Sequence, residues 1–119
     1  MNYQSHQELN DYVAEVLKLY LQLPETPGKA GTNDRITASG LWERGIPVTT
    51  VESAFLLASV RRLGRSPDLP SLSPIRSLAY FLPVIQEILE KKVSDDYLKY
   101  LRMKVRSLCG NNRIAAKCG

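Results

Sequence analysis

Leu9, Tyr12, Val13, Val16, Leu17, Tyr20 and Leu21 recur at intervals of three and four residues, and no stretch of the chain alternates apolar and polar residues as a half-buried strand would. That interval gathers side chains on one face of a helix, so it restricts the chain to helices packed by their apolar stripes. Ser5 and Glu8 have the spacing of a capping box at the start of this first helix, and Pro24 is expected to stop it after Leu23.

Glycine and proline divide the remainder. Residues 23–34, LPETPGKAGTND, read as a connector. A short helix is expected over residues 34–44, with Ile36, Ala38, Leu41 and Trp42 turned inward and Gly45 at its left-handed end. A third helix is expected to open on a capping box of Thr49 and Glu52, to bury Val51, Ala54, Phe55, Ala58 and Val60, and to close at Gly64. After a second connector, residues 65–74, Ser73 as cap and Pro74 as first residue predict a helix from Ile75. Pro83 must then kink it, or break it so that it restarts through Val84, Ile85, Ile88 and Leu89. A last helix runs from a cap at Ser94, through Asp95 and Asp96, to Arg106. The expected fold is all-α: one compact bundle of five to six helices over residues 1–110, with a central pair packed as an αα-hairpin or helix-turn-helix-like unit and a basic C-terminal helix. Residues 111–119 are expected to be a fraying basic tail.

Charge is distributed less evenly than helices. Residues 1–96 carry a net charge of −2, and residues 97–119 carry +6 with no carboxylate side chain. Asp95 and Asp96 at the positive end of the last helix dipole, with cations toward its negative end, stabilise that helix, which explains part of the asymmetry. The rest points to an anionic partner. Lys99, Arg102 and Arg106 fall on one stripe, while Tyr100 and Lys104 form an aromatic-basic pair on the exposed flank. Basic residues interleaved with an aromatic suit a nucleic-acid backbone, the charges meeting phosphates and the ring meeting an unstacked base. Arg113 and Lys117 extend the set, and Arg61, Arg62 and Arg65 at the end of the third helix form a second candidate patch.

Other classes find less in the chain. The segment GKAGT, residues 28–32, lacks the spacing of a phosphate-binding loop, and His6, the one histidine, has no nucleophile aligned with it, so no catalytic residue is assigned. Cys109 and Cys118 are too few to begin a zinc site and are expected to be free thiols, so neither metal nor cofactor is assigned. No apolar run is long enough for a membrane span, and the N-terminus lacks a secretory pattern; a cytoplasmic protein with no small-molecule substrate is expected.

The order TTVESAFLLASVRR, a polar gap, SPIRSLAYFLPVIQEILEKK and a basic tail resembles the DnaD-type helical module of bacterial and phage replication-initiation proteins. Tyr80, Val84 and Ile88 stand at that family's Tyr-x-x-x-Ile-x-x-x-Trp positions, with Ile88 in place of the tryptophan and Pro83 within the motif. The resemblance covers residues 49–92 plus the tail, and it implies DNA or single-strand binding within a replication or mobile-element assembly, without enzymatic activity. The alternative is a small helical protein-interaction subunit, an adaptor or homo-oligomer or part of an RNA-guided complex, docking through its acidic-backed first helix or an exposed AYFLPVI surface, residues 79–85.

Overall fold

The structure is a computed structural model that describes the backbone of residues 3–112 and the side chains of residues 6–109. Five α-helices and one 3-10 turn follow one another: α1 (Tyr3–Leu21), α2 (Thr32–Glu43), α3 (Val48–Leu63), the 3-10 turn (Leu78–Phe81), α4 (Leu82–Lys91) and α5 (Asp95–Asn112). The architecture is all-α, as the apolar periodicity predicts.

The helices are arranged around α3. Ten of its sixteen residues are buried, because α1, α4 and α5 all pack on it. A helix with that much apolar surface must be surrounded. Tyr20, Phe55 and Phe81 meet at the centre, with ring centroids 4.8 to 6.3 Å apart in tilted and edge-on contacts. Burial, and after it the Asp34 carboxylate, pushes the Tyr20 hydroxyl up to about 12. α2 packs instead on α1 and the 3-10 turn. The central pair therefore does not work as a helix-turn-helix reader, since the helix that would enter a groove is the one at the centre of the core.

The α2–α3 turn follows from Gly45. Its φ of +72° is open to glycine at little cost, and Ile46 N–H donates to the Leu41 carbonyl (3.2 Å) while Gly45 N–H donates to that of Trp42 (2.9 Å). Ile46 is thereby buried, and its carbonyl accepts from the Tyr12 hydroxyl at 2.7 Å, which ties the turn to α1. Burial pushes that phenol up to about 12.

Several local expectations give way to packing. Ile36 is exposed on α2 instead of turned inward. α2 starts at Thr32, two residues early, because Asp34 reaches back to accept from Gly31 N–H (3.0 Å); its other oxygen accepts from Leu78 N–H (2.9 Å) and fixes the 3-10 turn. α3 begins at Val48 with Pro47 in the cap position, so the Thr49–Glu52 box does not form, and Glu52 turns to Arg102. Ser5 falls within α1, and its side chain lies outside the described residues. No helix starts at Ile75. That residue is buried, and its N–H donates to the Glu25 carbonyl at 3.1 Å. The break at Pro83 is resolved by making it the second residue of α4, where no intrahelical donor is needed. Within AYFLPVI, Phe81 and Ile85 are wholly buried, while Ala79, Tyr80, Leu82 and Pro83 are exposed, so the segment divides between core and surface. Cys109 faces the core and is disulfide-bonded; the free-thiol expectation rested on compartment, not geometry.

Both Pro-rich connectors are pinned by one buried side chain. Arg62, near the end of α3, donates through Nε and Nη2 to Glu25 Oε1 (3.2 and 2.6 Å), through Nη2 also to the Ser73 carbonyl (2.7 Å), and through Nη1 to the Tyr80 hydroxyl (3.1 Å). Glu25 is held at a φ of +67°, a left-handed conformation that costs a non-glycine residue about 1–2 kcal/mol. Replacing Arg62 by leucine leaves a carboxylate, a carbonyl and a phenol without their donor. We expect R62L to lower unfolding stability by about 2–4 kcal/mol in urea denaturation; a loss under about 1 kcal/mol would show that the connectors do not depend on it.

Candidate nucleic-acid interface

α5 lies against α3 through Leu98, Leu101, Val105 and Cys109, which recur at three and four residues and are all buried. Ser94 caps the helix, its hydroxyl accepting from Tyr97 N–H at 3.3 Å, and Asp95 and Asp96 occupy the first turn as the sequence predicts. Glu52 near the start of α3 reaches Arg102, while Arg61 near its end lies close enough to feel the Tyr97 hydroxyl, so the two helices run antiparallel.

With that face buried, Lys99, Tyr100, Arg102, Met103, Lys104 and Arg106 are all exposed. At about 100° per residue, Lys99, Arg102 and Arg106 occupy one flank of the helix, and Tyr100 and Lys104 the other. Met103 projects between them, 69% exposed. Tyr97 and Tyr100 stack with centroids 6.2 Å apart and planes inclined by 23°, and Tyr100 remains exposed.

The cations do not all remain available. Arg102 forms a bidentate pair with Glu52, at 2.9 Å from Nε to Oε2 and 2.8 Å from Nη2 to Oε1. Lys99, Lys104 and Arg106 have no carboxylate partner among the described residues. Arg61 is bidentate to Glu87, which also accepts from Lys91 at 2.8 Å, so α3 is tied to α4. Arg62 is buried and belongs to the connector tether, which removes it from the candidate interface. Arg65 is exposed and donates to the Pro70 carbonyl at 3.1 Å. Because α3 and α5 are antiparallel, the 61–65 end of α3 lies toward the start of α5, beside Tyr97, and away from Arg106. Arg113 and Lys117 lie outside the described residues.

Beside the Lys99–Arg106 flank is a groove of about 410 Å3 that no local pattern of residues marks. Its walls are the end of α1 with residues 22–24 that follow it, the middle of α3 and the middle of α5, segments far apart in the chain. Leu19, Leu23, Phe55, Leu56 and Val105 line it, with Gln22 on one side and Glu52, Arg102 and Arg106 on the other. Among the described residues no three His, Cys, Asp or Glu side chains converge to hold a metal ion, and no helix is long and apolar enough to cross a membrane. No family model, curated protein or solved structure matches the chain.

Arg61 and Lys91 together hold the Glu87 carboxyl down at about 2 from its ordinary 4.5. Stability from a depressed carboxylate is fully present above the ordinary pKa and disappears as pH falls through the folded one. The stability difference between the parent and E87Q should stay constant above about pH 4.5 and shrink toward zero near pH 2 in urea titrations. A difference independent of pH would show that the pair is not formed in solution.

Proposed function

We propose that this chain is a non-catalytic helical nucleic-acid-binding accessory protein that contacts the phosphate backbone through α5. The observation that carries the reading is the composition of the α5 surface: beyond Asp96 it presents Lys99, Arg102, Lys104 and Arg106 and no carboxylate, and the one carboxylate drawn to it, Glu52, meets only Arg102. Unpaired cations along a helix attract a regularly spaced anion more strongly than an isolated one, and release its counterions on binding. The exposed Tyr100 adds an aromatic face for a base.

The resemblance to DnaD-type modules is compatible with this role and suggests a replication or mobile-element assembly as its setting. Tyr80 stands on the 3-10 turn, bonded to Arg62, while Val84 and Ile88 are on α4, so the three motif positions span a change of helix type. The motif therefore contributes to packing, and the proposed binding rests on α5. A protein-interaction role retains a smaller surface than the sequence suggested, because Phe81 and Ile85 are internal.

Fluorescence anisotropy against labelled oligonucleotides across a salt series tests the reading. With three cations engaged on a single strand, log K should fall against log salt with a slope of about −2. The K99E/R106E double variant should lose at least about tenfold in affinity at low salt and flatten that slope toward about −0.7. Unchanged affinity and slope in the double variant would overturn the assignment to α5.

A further inference from the structure

Three features of the groove between α1, α3 and α5 bear on what it holds. Its volume, about 410 Å3, falls within the range of sites for small ligands, about 300–1,000 Å3. Its lining is apolar on the α1 and α3 sides, through Leu19, Leu23, Phe55 and Leu56. Its polar lining, Gln22, Glu52, Arg102 and Arg106, contributes about as much of the surface as the apolar residues do. Gln22 offers both a donor and an acceptor there, and Glu52 keeps lone pairs beyond those that face Arg102. Arg102 and Arg106 stand on the α5 edge, and Lys99 continues the same flank one turn earlier.

A wholly apolar ligand would leave Gln22 and Arg106 without use, and a phosphate alone would leave the apolar lining uncovered. A nucleotide unit of a single strand satisfies both. We propose that the groove receives an unstacked nucleobase while the adjoining phosphates follow Lys99 and Arg106. This inference rests on the nucleic-acid reading above and specifies its ligand as single-stranded. Lys99 and Arg106 are about two turns apart along α5, so the cations form a row beside the groove and the strand can cross its mouth without bending away. The base is held by apolar contact, with Gln22 and Glu52 at its edge. A base inside a duplex remains stacked on its neighbours and does not reach the lining, so the groove selects for single strands. Glu52 also acquires a role: its bidentate pair with Arg102 keeps that guanidinium at the rim and neutralises the one carboxylate near the phosphate path.

The test compares two labelled oligomers of equal length, a thymidine strand and an abasic deoxyribose-phosphate strand, which carry the same phosphates. The parent protein should bind the thymidine strand about tenfold more tightly, with the same salt slope for both. L19W, which fills the groove from α1, should reduce that ratio toward one while leaving abasic binding unchanged. Should L19W fail the accompanying unfolding assay, Q22W at the exposed rim serves the same purpose. Equal affinity for the two strands, or a base advantage that survives filling, would overturn the groove inference and leave salt-dependent phosphate binding intact. Absence of binding to either strand would overturn the groove inference and the nucleic-acid reading together.

Discussion

The bundle depends on a buried guanidinium. Arg62 carries its charge into the junction of α3 with the two connectors that lack regular structure of their own, and there it satisfies Glu25, the Ser73 carbonyl and Tyr80 at once. An unpaired arginine at that depth would be costly, so the three acceptors and the helix are fixed together or not at all. The consequence extends beyond the local geometry. Glu25 in turn presents its carbonyl to Ile75, which brings the second connector alongside the first and delivers Leu78 to Asp34. The 3-10 turn and α4 take their places from that chain of contacts, and Phe81 completes the aromatic centre with Tyr20 and Phe55.

The same logic of pairing distributes the protein's charge. Three arginines find carboxylates on other segments: Arg61 with Glu87, Arg62 with Glu25 and Arg102 with Glu52. Each links α3 to a different neighbour, so pairs that look in the sequence like scattered surface charges serve as ties around one central helix. The more exposed pairs, Arg61–Glu87 and Arg102–Glu52, contribute little to stability individually, and their value here lies in orientation. Lys99, Lys104 and Arg106 remain on α5 because no carboxylate comes near them among the described residues. The proposed interface is what this pairing leaves uncompensated.

Helical class, the α5 stripe, the Ser94 cap and the glycine turn at residue 45 could be read directly, since each depends on residues within a few positions of one another. The start of α2, the missing cap at Thr49 and the irregular stretch before Leu78 could not. α2 starts early through a local cap, Asp34 accepting from Gly31 N–H, whereas in the last two cases a group that local rules assigned to its own helix was engaged from another segment, Glu52 by Arg102 and Ile75 by Glu25. Arg62 was misread for the same reason. An arginine beside two others at a helix end looks like a solvated patch until the carboxylate that reaches it, thirty-seven residues earlier, is in view.

By itself the sequence determined that the chain forms helices, roughly where most of them lie, and that its last helix carries cations without acids. Apolar periodicity, prolines, glycines and charge order act over a turn or two of chain, so they are written locally. Only the tertiary structure decided that α3 is a core helix instead of a reading helix, which arginines are internal ties, and that a groove opens beside Arg102 and Arg106. Those outcomes depend on which distant surfaces meet, and the residues that meet there, Leu19 with Phe55 and Val105, or Glu52 with Arg102, are far apart in the chain and carry no mark of one another.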